Sequence, residues 1–156
     1  MRSMSFALTT AQVRARTKTV TRPSGWTFLK PGDRIRAVVK CQGLRKGEKQ
    51  EQLAVLRVVD VRREQLRRMI EDEAYGWAEL AAEGFADHAD IRSPASFVMF
   101  FCGSHRAQEK WDPFLGRCPT RPCTPDDEVT RIAFVYEPGL FTEAARARPR
   151  PHLGRP

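Results

Sequence analysis

Alternation between hydrophobic and polar residues predicts five or six short strands along this chain. After the turn at 31–33, Ile35, Ala37 and Val39 fall on one face of a half-buried strand. The run 53–59 is the most apolar stretch, which predicts a strand in the middle of a sheet, with both faces buried at the centre of the strand. Further strands are predicted at SFAL (5–8), KTVTR (18–22) and EVTRIAFVY (128–136).

Hydrophobic residues at steps of three and four predict helices between these strands. One or two helical segments are predicted over 64–80, from the apolar positions Leu66, Met69, Ile70, Ala74, Trp77 and Ala81. Ser93 and Pro94 are typical of a helix N-cap and first position, and they predict a helix that turns inward Phe97, Val98, Phe100 and Phe101. A shorter helix is predicted at 11–17, capped by Thr9 or Thr10. The stretch 103–127 has turn residues without periodicity, which predicts a long loop.

Together these elements predict an α+β fold, a small barrel of five or six mostly antiparallel strands with two or three flanking helices. A doubly wound sheet is not expected, because strands and helices do not alternate regularly. The 156 residues fit one domain, predicted over 1–141. Residues 142–156 are rich in proline and arginine and are predicted to be a disordered tail, because one leucine cannot offset the entropy of ordering them.

The chain is strongly basic, with a formal charge of +8 and a pI near 9.9. Such an excess favours partners that carry phosphates or another negative surface. The first residues lack the apolar run of a secretory signal, and no apolar stretch is long enough to span a membrane. We therefore expect a cytoplasmic protein with no membrane partner and no cofactor. The sequence does not fix its oligomeric state.

Several motifs in order resemble the ASCH domains of bacteria and their phages, which are relatives of the PUA-like RNA-binding barrels. They are SFALTT, RTKTVTR, GW followed by LKPGD, KCQGLRKGE, EGF and VTRIAFVY, and they cover about residues 4–137. This resemblance implies a PUA-like β-barrel with a cleft for RNA or nucleotides. Some small members are amidohydrolases that deacetylate a modified cytidine.

The resemblance also implies three candidate catalytic residues. The lysine and threonine of the hydrolases' KTxT strand match Lys18 and Thr21, and their glutamate matches Glu83 in EGF. Chemically, a threonine hydroxyl needs a neighbouring base, and a lysine acts as one only if burial or a nearby cation lowers its pKa. Residues three apart in a regular strand point to opposite faces, so Lys18 and Thr21 share a pocket only if the strand is distorted.

Nucleic-acid binding requires cations over phosphates and a flat side chain against a base. Trp26 is the candidate for stacking, although a tryptophan that seals the core is an equal interpretation. The candidate cations are Arg16, Lys18, Arg22, Arg45, Lys46 and Lys49. We expect an RNA- or nucleotide-binding domain. The alternatives are an amidohydrolase that acts on the linear amide of an acylated nucleoside through Lys18, Thr21 and Glu83, and an interaction module without catalysis.

Four thiols in a chain of this length are too few for a disulfide scaffold. A zinc ion is a minor alternative, with the ligands Cys102, His105, Cys118 and Cys123. The main expectation is that no metal is bound, because a cysteine in an apolar helix packs as a small hydrophobic residue.

Overall fold

The computed structural model describes residues 1–138. The predicted domain end at 141 and the predicted tail 142–156 lie outside the described residues. The strands are β1 (Arg2–Ser5), β2 (Val20–Thr21), β3 (Arg34–Val38), β4 (Gln52–Gln65), β5 (Arg106–Gln108), β6 (Thr120–Pro122) and β7 (Glu128–Tyr136). The helices are α1 (Thr10–Arg14), α2 (Arg68–Glu71), α3 (Glu73–Ala82) and α4 (Pro94–Ser104), and a 3₁₀ turn precedes α1 at Ala7–Thr9.

The main sheet has five strands in the order β1-β3-β4-β7-β2. Strand β1 is parallel to β3, and the other neighbours are antiparallel. This confirms the α+β class and the mostly antiparallel pairing. Over the described part of the chain no ladder joins β1 to β2, so the hydrogen-bonded sheet is open where a closed barrel was expected. No helix within residues 1–138 is long and apolar enough to cross a membrane.

Strand β4 lies in the middle of the sheet, as the sequence predicts, but only one of its faces is buried. Leu56 and Val58 are completely buried, whereas Val59 is 42% exposed. The prediction of burial on both faces was therefore wrong. In β3, a register shift between Ala37 and Val38 places Val38 in the interior beside Ala37, so the predicted alternation ends at this bulge.

The two cores lie at different places on the sheet. The first contains Met4, Phe6, Val13, Leu29, Ile35, Ala37, Leu56, Val58, Ile132 and Phe134. The second lies among α2, α3 and α4 and contains Leu66, Met69, Leu80, Phe85, Ile91, Phe97, Val98 and Phe101. Helix α4 begins with the predicted Ser93 cap, which forms a reciprocal capping box with Ser96. Phe100, predicted to face inward, is 37% exposed.

The buried face of helix α3 is not the face that its apolar repeat predicts. Trp77 is 47% exposed and Ile70, in α2, is 44% exposed. The buried positions of α3 are Gly76, Glu79 and Leu80. Gly76 is required there, because a Cβ at this position would lie 2.1 Å from the Met69 carbonyl oxygen.

Several shorter elements also differ from expectation. The predicted loop 103–127 contains a hairpin, since β5 pairs with β6. Strand β2 has only two residues, and β1 lies earlier than SFAL. Neither predicted threonine caps α1, because Thr9 makes no capping bond and the Thr10 hydroxyl donates to the Phe6 carbonyl oxygen at 2.9 Å.

Candidate functional site

A cavity of about 320 Å³ lies at the junction of the two cores. We call it the aromatic cavity, because six rings line it: Phe6, Phe85, Phe97, Phe100, Phe101 and His105. Its charged lining residues are Lys18, Arg22 and Glu83, and Ser5, Thr9 and Thr21 add hydroxyl groups. The three residues matched to the hydrolases therefore line one cavity, although Glu83 lies far from the other two along the chain.

Local backbone structure explains how Lys18 and Thr21 come to face the same space. Arg16 has a left-handed φ of 59°, and the amides of Thr17 and Lys18 donate to the Gln12 carbonyl oxygen at 3.0 and 3.4 Å. The chain therefore reverses after α1, and Lys18 precedes strand β2. The alternation rule of a regular strand does not apply between Lys18 and Thr21, since only Val20 and Thr21 are in the strand.

Glu83 is held at the end of α3 as the residue that caps it. Gly84 follows with a φ of +83°, and a Cβ there would lie 3.0 Å from Gln12 and 3.5 Å from the Lys18 Cβ. This glycine lets the backbone approach closely, so that Lys18 Nζ donates to the Glu83 carbonyl oxygen at 2.6 Å and to its Oε2 at 2.7 Å. Lys18 and Glu83 are almost completely buried.

Arg22 continues this contact into a buried ionic cluster, which we define as Lys18, Arg22, Glu64, Glu79, Glu83 and Arg131. Its guanidinium donates from Nη1 to Glu83 Oε1 at 2.8 Å and from Nη2 to Glu64 Oε1 at 2.6 Å, and Nη2 also contacts Glu79. Arg131 donates from Nε and Nη2 to the two oxygens of Glu79, each at 2.7 Å. Three cations balance three carboxylates, so the cluster has no net formal charge.

Burial and pairing act in opposite directions on the ionisable groups of the cluster. Burial lowers the pKa of the Lys18 ammonium, and the Glu83 carboxylate only partly opposes this effect. Burial also acts to lower the pKa of Arg22, but its carboxylate partners, Glu83 foremost, raise it above its usual value. Lys18 is therefore the member of the cluster whose proton is most easily lost.

Several polar groups that line the aromatic cavity retain hydrogen-bonding capacity. The Lys18 ammonium has three donors and uses two of them on Glu83. The Nε of Arg22 has no partner among the described residues either, but it is fully buried, so an occupant reaches it only if the cavity wall rearranges. The partly buried Thr21 hydroxyl likewise makes no hydrogen bond within residues 1–138. An occupant with hydrogen-bond acceptors would therefore find donors on this wall of the cavity.

His105 is a further ring in the cavity wall, on the side of α4. It stacks on Phe101 with centroids 3.9 Å apart, and its Nδ1 lies 2.9 Å from the Phe101 carbonyl oxygen. A carbonyl oxygen can only accept a hydrogen bond, so Nδ1 carries a proton. Nε2 is left available to an occupant.

The remaining predicted binding residues lie elsewhere. Trp26 lines a separate cavity with Phe28, at a centroid distance of 5.4 Å, and packs against the first core. The Arg16 guanidinium lies 5.8 Å from the centroid of Tyr136. Arg45, Lys46 and Lys49 are on the connection between β3 and β4, and none of them lines either cavity. The structure thus brings together Lys18, Thr21, Arg22 and Glu83, and not the other candidates.

The four residues considered for zinc do not gather. Within residues 1–138 there is no group of three or more histidine, cysteine, aspartate or glutamate side chains that could hold a metal ion. Cys102 Sγ lies 3.5 Å from Cys123 Sγ, whereas Cys118 is exposed. Burial and the nearby Cys102 raise the pKa of the Cys123 thiol to about 12.

Sequence reasoning missed two parts of the site. It did not find the cluster members Glu64, Glu79 and Arg131, and it assigned the phenylalanines of α4 to the core alone. A signal for the first was present, because Glu79 and Glu83 are four residues apart and share the helix face that also carries Leu80. No sequence signal distinguishes the cavity-lining phenylalanines of α4 from core residues, since the wall of an apolar cavity and the hydrophobic core have the same composition.

No family model matches the chain, and no curated protein matches it significantly. Two solved structures are similar to it. One of them is an ASCH domain. It comes from Lactobacillus crispatus JV V101, is 16% identical and has a TM-score of 0.49 over 86% of this chain and 78% of that one. The other is protein EF3133 from Enterococcus faecalis V583, of the family designated DUF984, with the same identity and coverage and a TM-score of 0.47.

Proposed function

We propose that this protein binds the base of a nucleoside, nucleotide or RNA strand in the aromatic cavity. The observation that carries the proposal is the juxtaposition of flat rings and unused donors around one space. Base recognition needs a ring to stack on and hydrogen-bonding groups at the base edge. A volume of about 320 Å³ lies within the range of small-molecule sites. The resemblance to ASCH motifs supports the same function, and we propose a PUA-like fold whose sheet is open rather than closed into a barrel.

The proposal differs in one respect from a simple basic cleft. Lys18 and Arg22 are neutralised by their carboxylate partners, so neither supplies net charge to a phosphate, and the polar contacts to the base come from Lys18 and Thr21. We therefore expect the affinity for an uncharged nucleoside to change little with salt, because no counterions are released.

Calorimetric titration with the four common ribonucleosides tests this function. We expect one or more to bind, and Thr21→Val to weaken that binding by about fivefold, since a single hydrogen bond is worth about 1 kcal/mol. Valine has nearly the shape of threonine and removes only the hydroxyl. Lys46→Met is the control, because Lys46 lies on the exposed connection between β3 and β4. Absence of binding by all four nucleosides and their monophosphates at millimolar concentration would refute the proposal.

Amide hydrolysis is a second candidate, favoured by the lowered pKa of Lys18 in the cavity that contains Thr21. In this reaction the Thr21 hydroxyl attacks the acyl carbon of an N-acylated cytidine, and Lys18 accepts its proton. That proton passes to the departing amine, and water then hydrolyses the ester to release the acid. Glu83 holds Lys18 in place through the bond to Nζ.

Chromatographic detection of cytidine released from N-acetylcytidine tests the second candidate. We expect turnover by the unaltered protein and none by Thr21→Ala, with the circular dichroism spectrum unchanged. Full activity of Thr21→Ala would contradict the role assigned to Thr21. If nucleosides bind but no acyl group is released, the protein is a binding domain alone.

A further inference from the structure

A third cavity, of about 670 Å³, adjoins the aromatic cavity. Three residues line both spaces: Pro23, Phe101 and His105. The two spaces are therefore adjacent, and a ligand with a base in one and a second group in the other would contact the stacked pair Phe101 and His105. We call this space the arginine cavity, because Arg63 and Arg106 line it.

The two arginines of the arginine cavity differ from Lys18 and Arg22, the cations of the aromatic cavity, in their hydrogen-bond partners. Arg63 donates to Thr130 Oγ1 at 2.9 Å and to the Glu128 carbonyl oxygen at 3.0 Å. Arg106 donates to Thr120 Oγ1 at 3.1 Å and to its carbonyl oxygen at 3.2 Å. Neutral oxygens thus hold both guanidiniums. Over residues 1–138 neither arginine makes an ion pair, so their charge is not compensated as that of Arg22 is.

The acidic groups around the arginine cavity are mostly engaged. Asp126 pairs with Arg67, and Asp127 accepts from Arg121 Nη1 at 2.8 Å. Glu128 is the lining carboxylate that makes no ion pair in the described part of the chain. Two uncompensated guanidiniums therefore face one uncompensated carboxylate, and the space has an excess of positive charge.

Each guanidinium has five donors and uses two, so three remain on each head group. Guanidinium groups that are already held in place lose little conformational entropy when they bind a ligand. The planar pair of N–H donors on each group matches two oxygens of a phosphate. Serine, threonine and glycine residues of the same lining add small polar groups, among them Ser24, Gly25 and Thr120.

We infer that the ligand carries a phosphate, which Arg63 and Arg106 bind in the arginine cavity while the base occupies the aromatic cavity. This inference rests on the proposed function and narrows it: the natural ligand is a nucleotide or a nucleotide unit of a strand, not a free nucleoside. The phosphate is recognised by residues outside those that contact the base.

The test compares each common ribonucleoside with its 3′- and 5′-monophosphates by calorimetry at low and moderate salt. We expect at least one monophosphate to bind about tenfold or more tightly than its nucleoside at low salt, and this ratio to fall as salt rises. In the double variant Arg63→Gln and Arg106→Gln the ratio should fall to about one. The matched control carries Arg57→Gln and Arg92→Gln, two exposed arginines that line neither cavity, and should keep the ratio of the unaltered protein.

The possible results distinguish a failure of the phosphate inference from a failure of the proposed base binding. Nucleosides that bind as tightly as their monophosphates leave base binding intact and overturn the phosphate inference. The same conclusion follows if the ratio survives in the Arg63 and Arg106 variant, or falls equally in the control. Failure of every nucleoside and monophosphate to bind refutes the proposed function, and the inference with it.

Discussion

Arg22 is the residue on which the interior of the site depends. Its single guanidinium contacts three carboxylates, those of Glu64, Glu79 and Glu83, while its own exposure is 4%. A buried charge is costly unless it is paired, and removal of one partner leaves the others uncompensated. The cluster therefore holds the chain on both sides of β2, at Lys18 and Arg22, against the end of α3, and it fixes the position of Glu83 in the cavity.

Replacement of Arg22 by methionine should lower the free energy of unfolding by about 3–5 kcal/mol, because three buried carboxylates lose their common partner. Urea denaturation followed by circular dichroism measures this change. The control is Arg14→Met, since Arg14 pairs with Glu51 where both side chains are more than half exposed. Such a pair contributes less than about 1 kcal/mol. Equal effects of the two substitutions would contradict the importance of the buried cluster.

The carboxylates of the cluster make stability depend on pH. Burial acts to raise the pKa of Glu79, but the Arg131 hydrogen bonds and the Arg22 charge outweigh it and hold the pKa below the ordinary value of 4.5. Burial likewise acts to raise the pKa of Glu64, but Tyr75 and Arg22 lower it below that value. The unfolded chain then binds more protons than the folded protein in acid, so stability falls as the pH drops below about 4.5.

The free energy of unfolding should therefore decrease between neutral pH and acid, and part of this decrease should be absent in Glu79→Gln. That variant is less stable at neutral pH, because Arg22 and Arg131 lose a charged partner, but it has one fewer depressed carboxyl group to protonate. Urea titrations at a series of pH values measure how the free energy of unfolding of each protein depends on pH. Glu51→Gln serves as the exposed control and should follow the unaltered protein. A Glu79→Gln protein with the full decrease in acid would contradict this account.

Helix α3 shows how an element can be positioned by few residues. Its buried face carries Gly76, Glu79 and Leu80, and its last residue leads into Glu83. The Tyr75 hydroxyl, from the same helix, donates to Glu64 Oε2 at 2.7 Å. Contacts to α2, α4 and the sheet thus meet on one short helix, and a shift of α3 would displace Glu83 from Lys18.

Gly76→Ala should destabilise the protein by about 1–3 kcal/mol, because the added methyl group has no space beside the Met69 carbonyl oxygen and Pro94. The matched control is Gly103→Ala in α4, where nothing lies within 4 Å of the added atom. There alanine should be neutral or stabilise the helix by up to about 1 kcal/mol. Thermal unfolding of both variants measures the difference, and a neutral Gly76→Ala would show that α3 is not packed as described.

The elements differ in how well the sequence predicts them, for physical reasons. Strand β7 and helix α4 were predicted closely, because alternation and the Ser93-Pro94 start are local signals. The buried face of α3 was not, since it is set by ion pairs to Arg22 and Arg131, which are distant in sequence. The β5–β6 hairpin was missed because its two short strands carry no hydrophobic alternation.

At the scale of the whole molecule, the site results from the meeting of two cores on one sheet. Phe6 belongs to the first core and Phe85, Phe97 and Phe101 to the second, and the aromatic cavity lies between them. The formal charge of +8 does not concentrate there, because the buried cluster is neutral. The convergence of Lys18, Thr21 and Glu83 was implied by a family resemblance, whereas their partners follow only from the three-dimensional arrangement.

The central claim is that the aromatic cavity is where a base binds. Its most direct test is a two-dimensional amide NMR titration of the ¹⁵N-labelled protein with the four ribonucleoside 3′-monophosphates. We predict that the largest shifts fall on Lys18, Thr21 and Glu83 and on the α4 residues Phe97, Phe100 and Phe101, which line the cavity. Shifts confined to the Trp26 cavity or to the exposed connection between β3 and β4, or no shifts at millimolar nucleotide, would contradict it.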